Sequence, residues 1–214
     1  MENSLSEFMA GLEIREPTSA GGVTVYPLVN RGKVGPSYTL LADAVARDVA
    51  SVEEKGGGSV PVLVLINKSE TLVLVTQGDE LVGGKQNRIV NISLLAPPRS
   101  AVDLPVSCVE QGRWHSVSRK FAHGEKAFFK LRHALHQQVV DSHRERGTAM
   151  SDQASVWDAV EVKLSSAGVD SRTRAMRDAY EGRRAALEEP ERRLKYVEGA
   201  SGLACAQLAS KITT

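Results

Sequence analysis

The sequence predicts an α+β protein, with a mainly antiparallel β sandwich or barrel-like part over residues 1–118 and a helical part over 119–214 packed on it, as one compact domain or two close lobes. Three observations predict this. Composition changes between Trp114 and Phe121, from Val-rich sequence with Gly and Pro punctuation to stretches of Ala, Arg, Glu, His and Gln that favour helix. The runs Val60–Ile66 and Thr71–Val75 are apolar on both faces, as strands of a sandwich or barrel interior are. Finally, Val90, Ile92 and Leu94 form an apolar stripe of period two, and Val102, Leu104 and Val106 form another beyond Pro97-Pro98.

Taken in order, Val23–Val29 reads as a strand, and Thr39 as the cap of a short helix through Leu40, Leu41, Ala44 and Val45. Gly56-Gly57-Gly58-Ser59 is a loop. Asn67-Lys68-Ser69-Glu70 joins the two apolar runs as a hairpin. The striped segments are expected to pair antiparallel across the diproline turn. Even-numbered partners then sum to about 196 to 198, which sets Val90 beside Val106 or Cys108. The same alternation carries Gln86 and Arg88 onto the face of Cys108 and Glu110, with Arg88 near one of these two. Polar groups that end a buried face must be paired or line a cleft, because an unpaired buried charge is costly. Further on, Glu125–Arg144, Gln153–Ser165 and Arg172–Glu189 read as helices, the second capped by Ser151 or Asp152 and the third stopped by Pro190. Leu203–Ile212 reads as a short helix or strand.

Bulk properties narrow the function classes. A chain of 214 residues with 42% hydrophobic and 25% charged residues can bury a core without disulfides or metal. Its formal charge of +1 supplies no global field for nucleic acid or an anionic membrane. Two cysteines without CxxC spacing fit a reducing compartment. The opening Met1–Pro17 lacks the basic-then-apolar pattern of a secretory signal, and no apolar run reaches the roughly 18 to 20 residues of a membrane span. The expectation is a soluble, cytoplasmic protein with no membrane partner.

Two segments concentrate chemistry. Gly78–Arg88 (GDELVGGKQNR) nearly imitates a phosphate loop, but Gly84 follows Gly78 one residue too late, and Gln86 stands where Ser or Thr is required. A nucleotide triphosphatase is therefore not expected. Gly83 and Gly84 would let the backbone approach a ligand, Lys85 and Arg88 would contact an anion, and Glu80 would serve as a base. The bland alternative is a strand bulge with solvated charges and one structural ion pair. In Pro105–Trp114, Glu110, Arg113 and Trp114 offer a carboxylate, an anion fork and a stacking surface, which suits a nucleotide or sugar phosphate. Cys108 sits in a strand pattern and reads as a packing residue rather than a nucleophile. His133, His136 and His143 share a helical face, but neither HExxH nor CxxC accompanies them. That face reads as solvated or partner-facing, with no metal site. The Arg-rich stretch from Arg172 to Lys195 is interleaved with acids, as a solvated helix surface is, and does not indicate nucleic acid.

The strings GDELVGGKQNR (Gly78–Arg88), LPVSCVEQGRW (Leu104–Trp114), SDQASVW (Ser151–Trp157) and DAYE (Asp178–Glu181) resemble the prokaryotic ARPP family, the ADP-ribosylglycohydrolase and rhodanese-phosphatase associated protein domain. The resemblance covers approximately Val23–Glu181. By genomic association it implies a role near ADP-ribose or nucleotide metabolism. Clustering and resemblance together point to a domain that binds or hydrolyses an ADP-ribose-like or other phosphorylated nucleoside ligand. Glu80 or Glu110 would act as acid or base. Lys85, Arg88 and Arg113 would hold the anion, Gln86 and Asn87 would orient polar groups, and Trp114 would stack. Asp152, Gln153 and Trp157 would close the site, and no motif indicates a cofactor. The alternatives are a noncatalytic protein-interaction module, and a structural polar cluster in which Arg88 and Glu110 form a buried pair that sets strand register.

Overall fold

The computed structural model of the chain describes residues 2–20, 22–30, 36–56, 61–181 and 184. The chain forms two compact units, Met1–Pro36 with Arg184–Thr214, and Ser37–Arg183. In the first, helix α1 (Glu2–Ala10) precedes four short strands, β1 (Leu12–Ile14), β2 (Thr18–Ala20), β3 (Val23–Val25) and β4 (Leu28–Asn30). The pair β2–β3 is nested in sequence inside the pair β1–β4, both antiparallel. The single strand expected over Val23–Val29 is thus two. It breaks at Tyr26-Pro27, where proline supplies no N–H and its carbonyl instead accepts from Arg15 N at 2.9 Å.

The second unit begins with β5 (Tyr38–Leu40), α2 (Leu41–Ala46), β6 (Ala50–Glu54), β7 (Val62–Asn67) and β8 (Leu72–Val75). There follow β9 (Asp79–Val82), β10 (Arg88–Val90), β11 (Leu94–Ala96), β12 (Ser100–Cys108), β13 (Lys120–Lys126), α3 (Phe129–Arg146), α4 (Gln153–Ala167) and the short α5 (Asp178–Glu181). Six strands close a barrel in the order β10-β12-β7-β6-β13-β9, every pair antiparallel. Alternate residues point inward, so Val52, Leu63, Leu65, Leu81, Val90, Leu104, Val106 and Phe121 form one buried core. The three-stranded sheet β11-β8-β5 and α2 add Val73, Val75, Ala96, Leu41 and Ala44 to that core, on the side where β6 begins and β7 ends. Among the described residues only β5 and β8 pair in parallel.

The outward residues Ile89 and Val109 belong to a second core, with Leu131, Leu135 and Val139 from α3 and Val156, Val160 and Leu164 from α4. Spacings of three and four residues give each helix its buried stripe. Asp152 caps α4 by accepting from Ala154 N at 3.1 Å. Gln153 then fastens the helix to the barrel: its amide accepts from Cys108 N and donates to Cys108 O, both at 2.8 Å. The fold is α+β with a barrel as its β part. Among the described residues no helix is long and apolar enough to cross a membrane.

The expected register holds where β10 meets β12: Arg88 lies opposite Cys108, Ile89 opposite Ser107 and Val90 opposite Val106. Several local expectations do not hold. The two stripes stop pairing after Asn91, whose N–H still reaches Pro105 O, and β11 leaves to join β8. Ser93 Oγ and the Gln77 amide hold that departure, and Ile92 turns to the helix-side core while Leu94 packs on the barrel core. Runs 60–66 and 71–75 do not form a hairpin. The buried Asn67 amide binds the carbonyls of Thr71, Ala96 and Pro97 and turns the chain onto the second sheet, and the outward residues of β7 are half-buried. Thr39 lies in β5, its hydroxyl facing that of Thr71, and α2 starts at Leu41, with Leu40 at the N-cap position and no side-chain cap. The helix expected from Glu125 begins at Phe129, because barrel closure takes residues 120–126 as a strand. Of the helix expected over Arg172–Glu189, Asp178–Glu181 is helical, and residues 182–183 and 185–189 lie outside the described residues. Residues 172–177 are irregular and latch onto the end of β12 through the Glu110–Ala175 bridge and Met176 N to Val109 O. The Pro190 stop and the element at Leu203–Ile212 fall outside the described residues.

Candidate functional site

The barrel end formed by the close of β6, the start of β10 and the close of β12 is polar. Two connections rim it, residues 83–87 between β9 and β10 and residues 109–119 between β12 and β13. Gly84 has φ +52°, and a Cβ there would stand 2.7 Å from Glu54 Oε1 and closer still to the Phe121 ring, so only glycine fits.

Arg113 organises the rim. Its Nη2 donates to Glu110 Oε2 at 2.6 Å, Asn87 Oδ1 at 3.1 Å and Gly83 O at 3.2 Å, while Nη1 donates to Gly84 O at 2.7 Å and His115 O at 3.1 Å. Glu110 Oε2 also accepts from Asn87 N at 3.1 Å, Asn87 Oδ1 accepts from Gly83 N at 3.1 Å, and the Gln86 amide donates to Glu110 O at 2.7 Å. Burial would raise the Glu110 carboxyl, but the bonds from Arg113 and Asn87 outweigh it and hold the group below its ordinary range. Lys85 N donates to Glu54 Oε1 at 2.9 Å. The Lys85 ammonium stands 5.7 Å from the centroid of the Trp114 ring, which is 57% exposed.

Arg88 behaves differently from Arg113. It faces the barrel interior between Leu81 and Cys108, is 2% exposed, and donates through Nη1 to Gln86 O at 2.9 Å. Its Nε has no hydrogen-bond partner, and it makes no ion pair with the described residues. Burial lowers its pKa, partly offset by the Glu54 carboxylate. The anticipated Arg88–Glu110 pair does not form: Glu110 pairs with Arg113, three residues along the same connection, in preference to a partner across the strands. Cys108 is a buried free thiol, its pKa raised by burial.

Glu80 lies on the other face of the sheet. It is the register partner of outward-facing Ile89, 1% exposed, and burial pushes its carboxyl up to about 7. Oε2 accepts from Glu125 N at 3.2 Å and Oε1 has no partner. A Cβ on Gly124 would meet Glu80 Oε2 and stand 2.7 Å from Val82 Cγ2, so a side chain there would displace the buried carboxyl. The Arg177 charge acts on Glu80, and the nearby Tyr180 phenol, kept protonated chiefly by burial, donates through Oη to Lys126 O at 2.9 Å.

Of the residues singled out in the sequence, Gly83, Gly84, Gln86, Asn87, Arg88, Glu110 and Arg113 therefore converge on one barrel end, with Lys85 and Trp114 on its outer rim. Gln153 touches that end through Cys108. Asp152 is exposed at the cap of α4, and Trp157, one turn on, has a buried Nε1 without a partner. Sequence reasoning missed Glu54, although Ala50, Val52 and Glu54 alternate inward as the apolar stripes do. It also missed a buried network on β9 and β13, where Asp79 binds Lys126, His123 Nε2 at 3.4 Å and Thr76 N at 2.8 Å. Nothing local in the sequence links those residues. His133, His136 and His143 are exposed, and among the described residues no group of three or more His, Cys, Asp or Glu is placed to hold a metal ion.

The family model described as ARPP-1, ARG and Rhodanese-Phosphatase-superfamily-associated Protein domain, matches residues 11–212. No curated protein and no solved structure matches the chain.

Proposed function

We propose, because the chain belongs to the ARPP-1 family and carries a cation and an exposed indole on one polar barrel end, that it binds an ADP-ribose-like or other phosphorylated nucleoside there. The observation that carries this reading is the Lys85–Trp114 pair. The other rim groups hydrogen-bond one another, whereas Trp114 is 57% exposed and the Lys85 ammonium beside its ring makes no hydrogen bond or ion pair with the described residues. The family description, which links the domain to two enzyme superfamilies, agrees with such a ligand only by association. Of the two carboxylates, Glu80 suits acid–base work, since a group near pH 7 can give or take a proton at neutral pH, while Glu110 is held ionised by Arg113.

Isothermal titration of the full chain with ADP-ribose tests the reading. Binding should be weakened at least tenfold by Trp114→Ala and several-fold by Lys85→Ala, neither of which disturbs the Arg113 network. Absence of heat with ADP-ribose, AMP and ADP would refute it. A second reading, a noncatalytic interaction module whose polar cluster is structural, is favoured by one observation: both Nη nitrogens of Arg113 are already engaged by acceptors within the chain. On that reading Trp114→Ala changes no nucleotide affinity.

A further inference from the structure

We propose that Arg88 is a buried phosphate seat inside the polar barrel end, a deepening that rests on the nucleoside reading above. Arg88 is the outermost inward residue of β10, directly above the layer formed by Val90 and Val106. One donor, Nη1, is fixed on Gln86 O, which holds the guanidinium in place. Nε is buried without a partner.

Among the described residues no anion forms an ion pair with Arg88, and the Glu54 and Glu110 charges act on it only from a distance. Glu110 is bound by Arg113 and Asn87 N, and Glu54 accepts from Lys85 N. The Cys108 thiol opposite is kept protonated by burial. A charge removed from water and left unpaired destabilises a fold, and an apolar side chain of similar size would serve the core better. Arg113, in the same end, shows the alternative: there the charge is matched within the chain.

A guanidinium held at one donor with another left without a partner matches the oxygens of a phosphate or diphosphate, which accept parallel N–H donors. The arrangement orders the ligand. Its phosphate passes the Lys85 ammonium at the rim to reach Arg88, and its base remains on Trp114. Arg113 then holds the rim in shape and makes no ligand contact.

Calorimetry with adenosine and with ADP-ribose, on the full-length wild type, Arg88→Met and Arg88→Lys, tests the assignment. The wild type should bind ADP-ribose at least tenfold more tightly than adenosine. Arg88→Met should keep the adenosine affinity and lose that preference, and its ligand-free melting temperature should equal or exceed the wild-type value. Arg88→Lys, which keeps the charge without the fork, should lose most of the preference and decides the matter should the Met variant fail to fold. Retention of the full preference in either variant would overturn the proposal. Equal wild-type affinity for adenosine and ADP-ribose would overturn it while leaving the nucleoside reading in place. Binding of neither would remove both.

Discussion

Replacing Glu80 with Gln should stabilise the protein above pH 7 and leave it nearly unchanged near pH 4.5. Glu80 has an ordinary pKa of 4.5 and is pushed up to about 7 in the fold, chiefly by burial. Below 4.5 the carboxyl is protonated in folded and unfolded chains alike, so it adds no pH dependence. Between 4.5 and 7 the folded chain keeps a proton that the unfolded chain releases, so stability falls as pH rises. Above 7 the loss is complete. At about 1.4 kcal/mol per pH unit, the gap amounts to roughly 3 kcal/mol. Gln keeps an oxygen for Glu125 N and does not titrate. Urea unfolding of both proteins at five pH values from 4.5 to 8.5, followed by indole fluorescence, gives the difference directly, because every other titrating group contributes equally to both. The stabilisation should grow from near zero to roughly 3 kcal/mol. A difference independent of pH, or one that shrinks as pH rises, would refute the claim that burial holds this carboxyl protonated.

Arg113→Ala should destabilise the protein by about 3–5 kcal/mol in urea unfolding, since it leaves the Glu110 carboxylate buried and unpaired; a loss under about 1 kcal/mol would contradict the organising role given to it. Asp79 is held at about 2 against burial by His123, Lys126 and Thr76. Its contribution is therefore present above pH 3.8 and lost as pH falls through about 2, and Asp79→Asn should abolish that acid-sensitive step in a pH titration of stability. Gln153→Ala should cost about 1–3 kcal/mol by leaving the Cys108 N–H and carbonyl without partners, and faster hydrogen exchange at Cys108 would mark the lost clamp.

Features governed by the alternation of side chains were legible in the sequence. The register of β10 on β12 follows from two stripes and the need to bury both, and it survives although the turn proposed between them does not exist as a hairpin. The end of β7 was illegible because Asn67 is a turn residue by composition, while its amide answers to carbonyls about thirty positions away. The start of α3 failed similarly. Glu125 and Lys126 favour helix locally, but Asp79, far back in the chain, holds Lys126 in a strand. Glu110 had two plausible cations, and the nearer in sequence took it, as the short connection brings Arg113 back over its own strand end.

The same alternation explains why one dense motif serves two sides of the sheet. Glu80 and Arg88 are both even-numbered, and unbroken alternation would set them on one face. Five residues intervene between β9 and β10, and Gly83 and Gly84 both take positive φ there, so the count does not carry through the connection. The register pairs Arg88 with Leu81 and Ile89 with Glu80. One turn thus sends a cation into the barrel and leaves an acid, raised by burial to about 7, beneath the helices. An acid and a base that could have formed an ion pair are kept apart, each with a buried polar atom that has no hydrogen-bond partner. A purely structural cluster would gain by bringing them together, so their separation favours ligand chemistry at Arg88 and proton chemistry at Glu80. The two variants should then behave independently. The stability change of Glu80→Gln with Arg88→Met should equal the sum of the single changes within about 0.5 kcal/mol, and a larger coupling would mean that the two groups act as one pair across the sheet.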